Sequence, residues 1–421
     1  MTILHLISTF PPLTETFVLR EIRRLRKTGL NVVIGQLRPL HRTPPARGFE
    51  DLSPLVNGVG WLSLEMLTSL AFFTLRKPRQ LAECLRIVLR SLSQPQHFVK
   101  MLYVLLSSIR LGYSLRNTRI EFVRADFLHT QALAARFLKS LLGVPYGITA
   151  YTVVVYYRPA VIAEIIRGAT FLVADTRQTK RFLLSMGASP NQVHLIRNGV
   201  SLEEFPWPHG VADAGSPIIL GVGSLIPKKG FDVLLRACAI LRARGIQFRC
   251  VVIGDGSERE KLENLKKDLG LDGCVEMLGY RTLAELKDWY CRATVLVMPS
   301  VVSPTGETDG LPTVVIEALA SGLPVVGTET AAIPEIIQDG VNGFLVATNA
   351  PEPLADQVQV LLEHPDLREQ FGCEGRRRVE QDFNLDRKVE TLRNLIVGHV
   401  PSKRLSDIGE PFAQAADLRQ G

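Results

Sequence analysis

At 421 residues, 46% apolar and 22% charged, the chain is long enough for two full cores and has the composition of an ordinary globular protein. No uncharged apolar run approaches about 18 residues, which excludes a helical membrane span, and MTILHLISTFPPLTE reads as a buried strand lacking the basic n-region of a secretion signal. The net charge of +7 hides an asymmetry, because residues 1–200 hold 26 Lys+Arg against 10 Asp+Glu while residues 201–421 hold 23 against 32. A basic half beside an acidic one predicts an anionic surface, nucleic acid or an anionic bilayer, that meets the first half only. The six cysteines (Cys84, Cys238, Cys250, Cys274, Cys291, Cys373) form no C-x-x-C pair and lie mostly in apolar stretches, which suits buried thiols in a reducing compartment.

Taken in order, Ile3–Ser8 is a predicted strand, and Phe10-Pro11-Pro12-Leu13 breaks it. Thr14 is a good N-cap for a helix Glu15–Lys27. Gly29 closes that helix before a strand Leu30–Gly35, a βαβ spacing that implies a parallel sheet. Arg38–Gly60, rich in Pro, Arg and Gly, reads as irregular loop. Residues 61–119 read as two or three helices with apolar faces and Arg/Lys flanks, opposed only by Glu65 and Glu83. Two readings stand for them: helices packed on a sheet, or a peripheral surface for anionic headgroups. The alternation resumes with helix Gln131–Leu142 behind His129, strand Gly147–Thr149, helix Pro159–Arg167, strand Thr170–Ala174, helix Arg177–Met186 and strand Val193–Arg197.

Phe205-Pro206-Trp207-Pro208-His209-Gly210, followed by Val211–Ser216, is the predicted linker. Beyond it, strands Pro217–Gly221, Phe248–Ile253, Val275–Leu278, Thr294–Met298 and Leu323–Gly327 alternate with helices Phe231–Arg244, Glu258–Leu269, Leu283–Cys291 and one begun by Pro312. Helices near Pro353–Glu363, Asp366–Gln381 and Asp386–Val397 follow, and 401–421 reads as a frayed tail. Two successive β-α runs predict an α/β protein of two Rossmann-like doubly wound domains facing a cleft. Their expected extents are 1–210, carrying the helical insertion 61–119, and 211–385, with a last helix over 386–400.

The chemistry concentrates in Pro304–Glu335. Asp309 ends a Gly-rich loop, and Glu317 lies eight positions on, inside a helix begun by Pro312 and closed at Gly322. Free N–H groups and the helix dipole favour phosphate at such an N-terminus, so both acids can face a nucleotide-sugar bound there. Gly221-Val222-Gly223-Ser224 follows a strand, with Lys228 and Lys229 before the next helix. Glycine lets the backbone approach a phosphate and lysine supplies a compact charge, although a tight β-α turn needs glycine with or without a ligand. Gly254-Asp255-Gly256 reads more as a turn than as a binding loop. The P-loop spacing is missing, as are G-x-S-x-G and H-E-x-x-H. No helix-turn-helix, zinc or RNA-sheet signature accompanies the basic residues, which removes nucleic acid as a partner.

The segments Gly223–Gly230 (GSLIPKKG), Val252–Gly256 (VIGDG), Met298–Ser300, Asp309–Glu335, Asn198-Gly199-Val200 and Asp339–Val346 together resemble the retaining glycosyltransferases of the two-Rossmann-domain (GT-B) type, specifically their large fourth family. Phe10-Pro11-Pro12 with Glu15-Thr16-Phe17-Val18 looks like the branch that makes colanic acid, amylovoran and similar exopolysaccharides. The resemblance is dense in the second domain and thin in the first. It implies that Glu317 accepts hydrogen bonds from the nucleotide ribose. It likewise implies that Asp309 stands at the donor sugar, and that Gly310 and Leu311 present backbone N–H groups to sugar or phosphate. Lys229, with Gly223, Ser224 and Gly254 around it, would neutralise the diphosphate, so that the leaving group departs without a metal. No D-x-D occurs, in agreement with that, and no cofactor is expected beyond the donor itself. His129, Glu15 and Tyr151 would lie on the acceptor side, and the helix from Asp386 would cross back toward the first domain.

Departures fall at sensitive positions. Asp309 stands where the family usually has Glu, Ser224 where it has Arg, and Tyr151 where it has His. Thr152-Val153-Val154-Val155 carries no acid, and Ala331-Ala332 replaces Gly-Gly or Ser-Gly. The expected activity is transfer of a hexose from a UDP- or GDP-sugar to a lipid-linked or polysaccharide acceptor in exopolysaccharide biosynthesis. The enzyme would be cytoplasmic and peripheral on the inner face of the membrane. Two alternatives stand beside it: a catalytically impaired member acting as a nucleotide- or glycan-binding partner subunit, and a nucleotide-sugar epimerase on the same fold.

Overall fold

The computed structural model describes residues 1–8, 16–37, 52, 56–57, 64–151, 157, 159–205, 207, 216–304 and 306–400. The chain divides into two compact units, Met1–Ile196 with the chain from Val389 onward, and Arg197–Lys388. The first runs β1 (Thr2–Ile7), α1 (Thr16–Lys27), β2 (Asn31–Gln36), β3 (Val56–Asn57), α2 (Leu64–Arg76), α3 (Pro78–Leu89), α4 (Pro95–Ser114), β4 (Phe122–Asp126), α5 (Thr130–Leu142), β5 (Tyr146–Ala150), α6 (Pro159–Gly168), β6 (Phe171–Ala174), α7 (Arg177–Ser185) and β7 (Val193–Leu195). The second runs β8 (Ile218–Val222), α8 (Phe231–Ala243), β9 (Arg249–Ile253), α9 (Arg259–Asp268), β10 (Val275–Gly279), α10 (Leu283–Arg292), β11 (Val295–Met298), α11 (Thr313–Ala320), β12 (Val325–Thr328), α12 (Ile333–Ile336), β13 (Gly343–Val346), α13 (Pro351–Glu363) and α14 (Pro365–Asp382). The last helix, α15 (Leu385–Gly398), begins in the second unit and continues in the first.

Both sheets are parallel, ordered β3-β2-β1-β4-β5-β6-β7 and β10-β9-β8-β11-β12-β13. In each, the order reverses between the first strand and the fourth, and the crevice at the carboxyl ends of those strands is where doubly wound sheets bind ligands. The strands are short apolar runs because helices cover both faces. In β8, Ile219 enters one core, while Ile218, Leu220 and Val222 enter the core on the opposite face.

The helices and strands expected from periodicity are present to within a few residues, and 61–119 resolves into α2, α3 and α4. The strand missing from the expectation is β4, at the centre of the first sheet between β1 and β5. Its sequence, FVRAD, puts Arg124 and Asp126 in a fully buried strand, against the apolar rule, and only distant partners make that tolerable. β13, α12 and the two-residue edge strand β3 also lie outside the expected elements.

The first unit ends at Ile196, ahead of position 210, because Arg197–Phe205 is stitched into the second. Val200 N–H donates to Phe383 O at 3.0 Å and Leu385 N–H to Val200 O at 3.0 Å, and Lys388 Nζ reaches Asn198 Oδ1 at 3.0 Å. A Cβ on Gly199 would come within 2.1 Å of Phe383 O, so only glycine fits there. Most of the expected linker and of the loop Arg38–Gly60, and the tail 401–421, lie outside the described residues.

All six cysteines are free thiols, with Cys84, Cys238 and Cys250 buried, Cys274 and Cys291 half-buried and Cys373 exposed. Among the described residues, no helix is long and apolar enough to cross a membrane.

Candidate donor and acceptor sites

In the second unit the candidate residues collect at the carboxyl ends of β8, β9 and β11. The turn after β8 is held by backbone pairs: Gly223 N–H to Ile253 O at 2.9 Å, Leu225 N–H to Asp255 O at 2.9 Å, and Glu258 N–H to Leu225 O at 2.8 Å. Gly254, at φ +144°, is packed so closely that a Cβ would lie 1.8 Å from Gly223 O. Gly254 is therefore demanded by the backbone, which accounts for it without a ligand. Ser224 is exposed at the tip of the turn.

Pro227–Lys229 then forms a single 3-10 turn closed by Gly230 at φ +64°, whose missing Cβ makes room for Pro299 O. Val301 N–H donates to Lys228 O at 2.9 Å, locking this turn to the segment after β11. The Lys229 stem passes over Gly223, and its Nζ meets Asp309 Oδ2 at 2.5 Å. Both side chains keep slightly over a tenth of their surface exposed. Ser300 Oγ donates to the same carboxylate oxygen at 3.3 Å, and Thr328 Oγ1 holds Ser300 by its carbonyl at 2.5 Å.

Gly310 and Leu311 connect Asp309 to Pro312, which is the N-cap of α11 rather than its first residue. Its ring removes a donor and fixes φ at −73°, and its side chain offers no cap to the first turn of α11. Glu317, five residues into α11, is 5% exposed and accepts from Tyr290 Oη on α10 at 2.9 Å. A lysine, a carboxylate and an uncapped helix start thus share one end of the sheet with a buried, pre-oriented acid. That set suits a diphosphate joined to a polyol.

His129 and Tyr151 lie in the first unit, after β4 and β5, and Glu15 lies outside the described residues. Phe127, directly after β4, has φ +64°, a strained value for a bulky residue. Its ring stacks on His129 at 5.2 Å and 10°, with Tyr151 5.2 Å away and Phe17 4.9 Å from Tyr151. Burial, with Lys100 adding to it and a hydrogen bond to Gln131 opposing it, pushes the His129 imidazole down to about 4. The ring is therefore neutral at physiological pH.

Tyr151, 5% exposed, donates to Glu21 Oε2 at 3.4 Å, and burial followed by Glu21 and Asp126 drives its phenol well above the usual range. Beneath it, Arg124 Nη2 bonds Glu21 Oε1 at 2.7 Å, Thr149 Oγ1 at 2.6 Å and Asp126 Oδ1 at 3.4 Å, while His5 Nε2 meets Asp126 Oδ2 at 2.5 Å. This network escaped sequence reasoning, as did Tyr290 and the hydrogen bond from Ser300. Charged residues 103 positions apart carry no local signal of pairing. Among the described residues, no cluster of three or more His, Cys, Asp or Glu is arranged to hold a metal.

The His129 pKa has a checkable consequence. A histidine whose pKa falls on folding makes the unfolded state bind more protons between about 4 and 6.5, so stability is full above that window and is lost as pH falls through it. Between pH 7.5 and 4.5 this group should remove about 2–3 kcal/mol. Urea unfolding of wild type and His129→Gln across that range should show a steeper loss in the wild type. Parallel curves would contradict it.

The chain is similar to several known proteins. Residues 208–378 match the family model described as glycosyl transferases group 1. WcaL of Salmonella typhimurium, named as a colanic acid biosynthesis glycosyltransferase, is 28% identical over 413 residues, covering 94% of this chain and all of that protein. The amylovoran biosynthesis glycosyltransferase AmsK of Erwinia amylovora is 30% identical over 213 residues, 51% of this chain and 52% of its own. A structure of Anabaena HepE in complex with UDP matches the fold with TM-score 0.70 at 15% identity, over 97% of this chain and 100% of that one. Over residues 208–378 the chain carries the glycosyl transferases group 1 domain, and its fold matches that of a solved glycosyltransferase from Rickettsia africae with TM-score 0.70 at 16% identity, over 94% of this chain and 99% of that one.

Proposed function

We propose that this glycosyltransferase moves a hexose from a UDP- or GDP-sugar to a lipid-linked or glycan acceptor in cell-surface polysaccharide biosynthesis, in the cytoplasm at the inner face of the membrane. The observation that carries the reading is the Lys229–Asp309 pair at the switch point of the second sheet, beside the uncapped start of α11. The names of WcaL and AmsK favour a surface polysaccharide, and UDP in HepE favours a nucleotide-linked donor.

In this reading the diphosphate draws Lys229 away from Asp309, and the N–H groups of Gly310, Leu311 and the first turn of α11 share its charge. The negative charge that builds up as the glycosidic bond breaks is thus met by fixed donors that need no reorganisation. Asp309, released, takes hydrogen bonds from the sugar, and Glu317 takes those of the ribose. His129, neutral, offers a ring nitrogen to the acceptor without repelling a cation or attracting an anion. A second reading, binding without transfer, is favoured by Tyr151, whose hydroxyl is already engaged with Glu21, and by Ser224, which supplies no charge to a diphosphate. Transfer by the unaltered chain removes it.

A thermal-shift series tests the proposal. At a hundred times Kd, a UDP- or GDP-sugar should add about 2.7 kcal/mol of stability, and ATP or NAD should add nothing. Asp309→Asn should keep the shift and lose transfer by at least ~100-fold. Absence of stabilisation by every nucleotide-sugar would overturn the reading.

A further inference from the structure

We infer that the outward faces of α2 and α3 form a docking surface for an anionic phospholipid bilayer, which gives the membrane placement proposed above a specific set of residues. A surface helix buries one apolar stripe and fills the other face with polar groups. α2 does not follow that pattern. Its inner side buries Ser69 and Phe73, with Phe72 packed edge-on against Phe73 and Tyr113. Yet Leu64, Leu67 and Leu75, spaced with Ala71 by three, four and four residues, form a second apolar stripe whose leucines are 80, 66 and 80% exposed. Single exposed leucines need no explanation, but a continuous helical stripe of them does.

The neighbouring helix supplies the charge. A single residue, Lys77, joins α2 to α3, and its ammonium is fastened to Leu141 O at 2.6 Å, so the corner between them is fixed. Arg79, Arg86 and Arg90 recur at seven and four residues, on one face of α3 and its C-cap, beside the exposed Leu85 and Leu89. Glu65 and Glu83, the acids of this region, are engaged by Arg110 and Arg136. Arg76, Arg79 and Arg86 have no carboxylate partner among the described residues.

Leucines that enter the acyl boundary, interleaved with guanidiniums that bond two phosphate oxygens each, match an anionic membrane surface. A second copy of the chain fits less well. A two-fold contact would set this basic patch against itself, with arginines facing arginines.

The test is co-sedimentation with vesicles of phosphatidylcholine alone and of phosphatidylcholine with 30% phosphatidylglycerol, run without donor or acceptor. Wild type should partition onto the anionic vesicles at least tenfold better than onto neutral ones, and the preference should fall in 0.5 M salt. Leu67→Ser/Leu75→Ser should weaken binding about tenfold or more, and Arg76→Ser/Arg79→Ser/Arg86→Ser about 100-fold. Both variants change exposed side chains, and both should bind nucleoside diphosphate as the wild type does. Equal partition onto both vesicles, undiminished binding by the variants, or a concentration-dependent dimer that the leucine variant abolishes would each overturn the inference. Because nucleotide binding is measured apart from vesicles, failure here leaves the proposed transfer untouched, and failure of nucleotide binding leaves the docking surface untouched.

Discussion

Glu317→Ala is expected to weaken binding of the donor nucleoside diphosphate by roughly 10²- to 10⁴-fold. Each hydrogen bond to a charged acceptor contributes about 1.5–3 kcal/mol, and two ribose hydroxyls would be lost together. The side chain is already oriented before any ligand arrives, since it is 5% exposed and held by Tyr290 Oη at 2.9 Å. Pre-orientation means little conformational entropy is lost on binding, so the full bond energy is available to the ligand. Tyr290→Phe removes the orienting bond and leaves the acid in place, and should cost about tenfold. Calorimetric titration of the two variants separates the roles. Equal losses would make the tyrosine, and not the acid, the ligand-contacting group.

Arg124→Met should be the most destabilising single change in the first unit, by about 3–5 kcal/mol, a large part of a typical domain stability. Burial opposes the charge on Arg124, but Glu21 and Asp126 outweigh it and keep the guanidinium protonated. Removing it leaves two carboxylates in a site where Arg124, Glu21 and Asp126 have almost no solvent exposure. Tyr151 and Thr149 would lose the charge balance that positions them. The companion Arg124→Met/Glu21→Met should recover part of the loss, because replacing a buried pair by apolar groups costs less than breaking it. Urea unfolding measures both. A wild-type midpoint for Arg124→Met would mean that the network contributes no net stability.

The two halves of the chain were not equally legible. In the second unit, strand, turn and helix signals are local. Gly254 and Gly230 mark positions where backbone nearly touches backbone, and the motifs that carry the family resemblance include both Lys229 and Asp309, which stand eighty residues apart and pair in the structure. The first unit depends on long-range compensation. β4 reads poorly because its charged side chains find their partners in His5 and Glu21, more than a hundred positions away. The first unit ends ahead of the linker signal for a similar reason: the bonds that hold Arg197–Phe205 come from Phe383–Lys388, and nothing near residue 200 announces them. Tyr290 was invisible because a tyrosine one turn from a helix end is ordinary until its partner is known.

The central claim is that Lys229 meets the diphosphate and Glu317 the ribose of one ligand. Its most direct test is a cycle: titration of nucleoside diphosphate and of nucleoside into wild type and Lys229→Ala. Wild type should prefer the diphosphate strongly, and Lys229→Ala should remove about 10- to 100-fold of that preference while leaving nucleoside affinity unchanged. A preference that survives intact in Lys229→Ala would contradict it.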